Sequence, residues 1–412
     1  MVAIGVVVPA ASPARVDAGV PSEAELDPAF VEQLEAALDA GFAASGMPGV
    51  TVGVWIPGQG EWIATRGVSD IVATTPMDRA DQSKIGSITK TLIGSIVLGI
   101  VSDGDTGLTL DDTIDEWYPE VPLADQITIR MLLNMTSGIA EPGQAQLDRI
   151  CADPYSTITP DEVIAIGAAT PRESYAPGDG FTYSGFNYFL AGRILEKVTG
   201  TDLPTLFDEL LLDPLGMDRS RFAPDGQLTA PLTHGYSLFC PELPKPLDTT
   251  DWYNHESWAA GAMLSTIDDL HTWGLALGEG YGITPELFAA RLDDAFVGPA
   301  GRQYTYGLGV NVTRDLATDC VLDLNHLGAE PGYGAYVHYF TTTGSVFAVI
   351  GNGDGGTGVA SAELVRTLVP VLSAEATILP TEPCTPRPPT PTPASAPSAP
   401  VIAVTAAPTF TG

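Results

Sequence analysis

Apolar residues recur at Phe30, Leu34, Leu38 and Phe42, a helical period that predicts an amphipathic helix over residues 27–44. Two apolar segments follow, Gly49–Ile56 and residues 62–68. The turn sequence Pro57-Gly58-Gln59-Gly60 joins them, so they read as paired strands. Residues 91–101 carry no proline and no charge and predict a buried helix, although Gly94 and Gly99 weaken it. That helix stops near Asp103-Gly104. From Ile127 to about Glu256 the pattern is mostly helical with long polar loops, clearest at 131–133 and 188–198. A further helix starts near Leu264, where Thr266 and Asp269 have capping-box spacing. Strands return at 307–312, 320–325, 335–340 and 346–350, and a last helix covers 360–372. No internal repeat is evident.

This order places the chain in the α+β class: an antiparallel β-sheet flanked by helices, with an all-helical subdomain inserted at about 127–256. Three parts are expected. Residues 1–25 are a signal remnant or a disordered N-terminus, 26–379 the folded domain, and 380–412 a disordered tail. The tail assignment rests on density in Pro, Thr, Ser and Ala, which cannot bury enough apolar surface to order itself. With 412 residues, 44% of them hydrophobic, the chain is ample for a large core.

Charge removes some partners. Against 18 basic residues stand 51 acidic ones, a formal net charge of -33, so no nucleic-acid footprint is visible. No run of about 18 apolar residues occurs, so no transmembrane segment is expected. Residues 2–11 are apolar and small residues follow at Ser12 and Ala14, which resembles the end of a secretion signal without its charged leading region. Cys151, Cys240, Cys320 and Cys384 are even in number and lack C-x-x-C spacing, which suits disulfides in an oxidising compartment. Three connectivities exist; proximity along the chain favours Cys151–Cys240 and Cys320–Cys384. A secreted or cell-wall-associated protein is expected.

The chemistry concentrates at Ser87-Ile88-Thr89-Lys90, an S-x-x-K sequence opening the apolar helix. Backbone N–H groups at a helix start lack intrahelical partners and favour developing negative charge. Residues at i and i+3 share a face, so the Lys90 amine can lie beside the Ser87 hydroxyl. An amine in apolar surroundings accepts a proton more readily, and a serine beside such a base is an activated nucleophile. Alone, the motif is weak, because a serine there is more often a helix cap.

Other segments agree with it in order: Gly107-Leu108-Thr109-Leu110-Asp111-Asp112, Leu132-Leu133-Asn134-Met135-Thr136-Ser137-Gly138, Pro214-Leu215-Gly216-Met217 and Gly261-Ala262-Met263-Leu264-Ser265-Thr266. Over roughly residues 26–372 the chain resembles the serine β-lactamase-related hydrolases, the group of class C β-lactamases, D-alanyl-D-alanine carboxypeptidases and family VIII-type esterases. The resemblance implies a β-lactamase/transpeptidase-like fold and a serine hydrolase working through an acyl-enzyme. Its substrate would be a small molecule or peptide, and no cofactor is expected.

The family's Tyr-x-Asn element maps to Tyr183-Ser184-Gly185. The resemblance makes Tyr183 a proton shuttle. Gly185 replaces the usual asparagine, which orients the substrate amide; Asn187 could substitute only through a rearranged loop. The family's Lys-Thr-Gly or His-x-Gly triplet, on the inner edge strand, resembles His326-Leu327-Gly328. There His326 would hydrogen-bond the tyrosine or tune the local field, and Gly328 would admit the substrate backbone. The Ala329 N–H would share an oxyanion hole with that of Ser87. Leu327 and Ala329 stand where relatives often carry hydroxyls that grip a substrate carboxylate, and neither has a side-chain donor. Arg302 and Arg314 are candidates for a replacement charge. These departures favour esters over lactams and D-alanyl-D-alanine peptides. The competing reading is a catalytically impaired relative that binds a cell-wall component or partner.

Overall fold

In the computed structural model the apolar segments from the two ends of the chain meet in one sheet. Described are residues 25–293, 305–314, 320–354 and 360–374, apart from 142, 241 and 244. The early strands are β1 (Gly49–Ile56), β2 (Gly60–Asp70) and β3 (Thr75–Pro76). The late ones are β4 (Thr305–Tyr306), β5 (Asn311–Arg314), β6 (Val321–Glu330), β7 (Tyr333–Phe340) and β8 (Ser345–Gly351). Their spatial order is β3-β2-β1-β8-β7-β6-β5-β4, and neighbours are antiparallel. Val52 of β1 lies opposite Val349 of β8, which closes the sheet across the whole intervening sequence.

Both faces are covered. On one, Val50, Val52, Val54 and Val349 pack against α1 (Pro28–Ser45) and the C-terminal helix Ala360–Ala374 through Leu34, Leu38, Leu364 and Leu368. On the other, Trp55, Val337, Ala348 and Ile350 meet α2 (Thr89–Asp103) and the helix Ile267–Glu279. A strand buried on both faces needs no polar alternation, which accounts for the unbroken apolar run of β1. The stretch Gly86–Asp103 is long and apolar enough to cross a membrane, but it is 72% buried within the protein. Its apolarity serves the core.

Several sequence expectations need correction. Residues 307–312 do not form one strand; the chain turns back between β4 and β5, with Gly309 at φ 89°. That turn brings Gly309 Cα within 3.1 Å of where a Cβ on Gly94 would stand, so glycine inside α2 is what lets the turn approach. β6 runs beyond Asn325 to Glu330 and carries the His326 triplet within the sheet. Thr266 caps its helix by accepting the Asp269 N–H, but the Asp269 carboxylate accepts from Arg219 N and Ser220 Oγ instead of completing a capping box.

The inserted region is helical only in its first part. It holds Ile129–Leu133, α3 (Gln144–Ala152), Pro160–Ala169, α4 (Phe186–Thr199) and Leu203–Phe207. After Leu215 come loops and two-residue strands such as Tyr236–Ser237. Pro224, Gly226, Pro231, Gly235 and Pro246 break helices there. Cys151 at the end of α3 is disulfide-bonded to Cys240 in this loop region, 89 residues away. Cys384, Arg302, the N-terminal apolar stretch and the Pro/Thr/Ser/Ala-rich tail lie outside the described residues.

Candidate active site

Ser87 sits in a single 3-10 turn, Gly86–Ile88, that runs straight into α2. It is therefore not the helix cap; the side chain is left for other work. Lys90 Nζ donates to Ser87 Oγ at 2.9 Å and to the Ala260 carbonyl at 2.7 Å. Those two acceptors fix the amine on the hydroxyl, and the lysine is buried. Gly86 adopts φ 50°, and a Cβ there would stand 2.5 Å from Ala329 N. A Cβ on Gly328 would stand 1.9 Å from the Ile85 carbonyl oxygen. Two glycines thus let the β6 backbone lie directly on the Ser87 turn, which brings the Ala329 and Ser87 amides to one place.

Ser87, Lys90, Tyr183, Gly185, Ala260, Ala329 and Glu330 line one cavity of about 200 Å³. Val163, Phe186 and Phe189 give it an apolar wall. Tyr183 is partly exposed, and its ring face lies 5.1 Å from Lys90 Nζ. Tyr306 packs edge-on against the same ring at 5.9 Å between centroids.

His326 takes a different partner from the one expected. Its Nε2 lies 3.0 Å from the Tyr306 hydroxyl and its Nδ1 2.6 Å from the Leu327 carbonyl. A carbonyl only accepts, so Nδ1 carries the proton and Nε2 accepts from Tyr306. Burial, then the Lys90 charge, hold its pKa down to about 3, so the ring is neutral. It touches Tyr183 only as a neighbouring ring, at 6.3 Å. His326 is thus tied by a hydrogen bond to Tyr306 and not to Tyr183.

Leu327 is also relocated. Side chains alternate along a strand, and Leu327 packs with the outer layer around Tyr336 and the terminal helices, away from the cavity. Substrate contact through its side chain is not supported. Arg314 donates to Leu292 O and Asp293 on the far side of β5 and does not line the cavity. Asn187 cannot replace the missing asparagine: it is fully buried, accepts from Ser137 Oγ at 2.6 Å and donates to Ser184 O at 3.2 Å.

What stands beside Gly185 is Glu141. The Gly185 N–H donates to Glu141 Oε2, and that oxygen lies 3.5 Å from where a Cβ at position 185 would be. Burial raises the Glu141 carboxyl above its ordinary range, opposed by the Gly185 N–H and by Lys90. Around it, Arg149 of α3 makes a two-pronged ion pair with Glu256 at 2.9 and 2.8 Å. Gln146 donates to the Glu256 carbonyl. The sequence reading missed Glu141, Gln146, Arg149, Glu256 and Glu330. None lies in a family motif, and they are brought together only by the fold.

The family profile described as Beta-lactamase matches residues 31–369. The chain belongs to the beta-lactamase family. It is a serine hydrolase with the β-lactamase/transpeptidase-like fold. Esterase EstB of Burkholderia gladioli is 30% identical over 279 residues, 59% of this chain and 69% of that protein. A D-aminopeptidase of Cereibacter sphaeroides (strain KD131 / KCTC 12085) is 28% identical over 208 residues, 50% of this chain but only 39% of its own length. Among solved structures, a D-stereospecific amidohydrolase from Streptomyces sp. superposes with a TM-score of 0.71 at 25% identity, covering 81% of this chain and 97% of that one.

Proposed function

We propose that this hydrolase cleaves esters lacking a free carboxylate, through an acyl-enzyme on Ser87. Lys90 in its neutral form takes the Ser87 proton as Oγ attacks and passes it to Tyr183 as Tyr183 delivers its own proton to the leaving group, and the Ser87 and Ala329 amides hold the oxyanion. The observation that carries the substrate class is the Glu141 carboxylate at the Gly185 position. Gly185 has no side chain to hold a substrate amide, and the Gln146 amide in the same cavity donates to the Glu256 carbonyl. Glu141, Glu256 and Glu330 surround the cavity, and among the described residues lining it the one cation besides Lys90, Arg149, is engaged by Glu256. Carboxylates so placed disfavour an anionic substrate. Losing one good hydrogen bond to a charged group costs about 1.5–3 kcal/mol, roughly tenfold to a hundredfold in kcat/KM.

Glu141 also favours a second reading, an acyl donor with a free amine, whose ammonium would face that carboxylate. The names of the aminopeptidase and amidohydrolase relatives point the same way. One panel separates these readings: a short neutral ester, the matching amino-acyl ester and amide, a D-alanyl-D-alanine peptide and a penicillin. Esters are expected to lead in kcat/KM. Faster cleavage of the D-alanyl-D-alanine peptide would overturn the proposal. The Cys151–Cys240 disulfide supports a secreted or cell-wall-associated protein.

A further inference from the structure

Glu330 is a buried carboxylate that the acylation scheme leaves unused. It follows Ala329 at the end of β6, and it lines the same cavity as Ser87 and Lys90. Its Oε1 fills the space a Cβ on Gly261 would take, at 2.4 Å. Gly261 adjoins Ala260, whose carbonyl holds Lys90 Nζ. The carboxylate therefore lies beside the base of the first half-reaction. The nearby Lys84 spends its ammonium on the Trp252 and Thr249 carbonyls, at 2.6 and 3.5 Å, and not on Glu330. Ser87 and Glu330 line one cavity of about 200 Å³, which has room for water beside an acyl group.

We infer that Glu330 is the general base of deacylation, taking a proton from the water that attacks the Ser87 acyl-enzyme. The water O–H bond breaks, its proton passes to a Glu330 oxygen, and the hydroxide oxygen bonds to the acyl carbon. Collapse of the tetrahedral intermediate breaks the bond to Ser87 Oγ. Oγ takes the proton back from Glu330 through Lys90, and the acid leaves. Nothing is oxidised or reduced, and no co-reactant beyond water is needed. Burial raises the carboxyl above its ordinary range, against the Ser257 hydroxyl and the Lys84 and Lys90 charges. A raised carboxyl is a better proton acceptor once ionised. The groups facing it are Lys84 from the Ser83–Lys84 strand, Lys90 from α2 and Ser257 ahead of the Trp258–Gly261 helix.

The inference rests on the acyl-enzyme reading above, and one experiment separates the two. Wild type, Glu330→Gln and Glu330→Asp are mixed with a chromogenic ester, and burst, steady state and intact mass are followed. Glu330→Gln should keep its burst, lose roughly 100-fold in the steady state and accumulate acyl-enzyme. Hydroxylamine, a nucleophile that needs no base, should clear that acyl-enzyme, and Glu330→Asp should recover part of the rate. Burst and steady state falling together in both variants would overturn the inference, as would near-normal turnover by Glu330→Gln. Wild type supplies an arm independent of any variant's folding: its deacylation rate should rise with pH as the Glu330 carboxyl ionises, at a pH above the ordinary carboxylate range. A profile flat from acid to neutral pH overturns the inference. A wild type that forms no acyl-enzyme and resists fluorophosphonate would instead sink the acyl-enzyme reading itself.

Discussion

The two walls of the cleft are built in opposite ways. One wall is local: Ser87 and Lys90 are three residues apart where the 3-10 turn enters α2, and Lys90 is buried and held by the Ala260 carbonyl. The other is assembled: Glu141, Gln146, Arg149, Gly185 and Glu256 come from separate segments tied by an ion pair and a disulfide. The first wall can hold its chemistry while the second changes. On the proposed function, the attacking pair belongs to the local wall and substrate choice to the assembled one.

The largest expected effect tests the local wall. Ser87→Ala should abolish covalent labelling by a fluorophosphonate, and labelling that persists at the same rate would end the assignment. Lys90→Ala and Tyr183→Phe should each slow single-turnover acylation by about 100-fold or more. A folded variant that acylates at nearly the original rate would remove that residue from the mechanism.

This asymmetry also explains what could be read in advance. β1 and the apolar helix were legible because burial on both faces leaves an unbroken apolar run, and the Ser87–Lys90 pair because helical spacing sets it. The continuation of β6 through His326 was legible only through the family resemblance; the apolar pattern stopped at Asn325, since a glycine within a strand reads as its end. The His326–Tyr306 bond joins residues twenty apart through sheet geometry that spacing alone does not reveal. Glu141 beside Gly185 was invisible for the same reason: 44 residues separate them, and only packing makes one fill the other's place.

A middle-sized effect tests how the assembled wall is held. The Cys151–Cys240 bridge anchors α3, the helix that carries Gln146 and Arg149 to the cavity. Replacing both cysteines by serine should lower unfolding stability by roughly 2–4 kcal/mol, read by denaturant titration. Ser87 labelling should stay near the rate of the oxidised protein, while KM for the best ester rises. Equal losses in labelling and KM would show that the two walls are not separable.

The smallest effect is the sharpest probe of substrate choice. Gly185 has φ -61°, so any residue fits its backbone. An added Cβ would meet Ala260 Cβ and Glu141 Oε2, each at 3.5 Å, which is ordinary contact. Gly185→Asn should therefore fold without penalty, and the loss of glycine freedom in the unfolded chain favours it by about 0.4–1 kcal/mol. Its amide would restore the group that holds a substrate amide, but it must share space with the Glu141 carboxylate. One neutral hydrogen bond is worth about 0.5–1.5 kcal/mol, so the preference for a D-alanyl-D-alanine peptide over an ester should rise by roughly twofold to tenfold. Adding Glu141→Gln removes the negative charge beside it and should enlarge the shift. Ala329 lies two residues from Leu327 on β6 and shares its strand face, which packs on the outer side, so neither Ala329→Ser nor Leu327→Thr belongs in the series. If the Gly185→Asn, Glu141→Gln pair leaves the ratio of the two kcat/KM values unchanged, substrate choice does not reside at Gly185, and the division between the two walls fails where it makes its most specific claim.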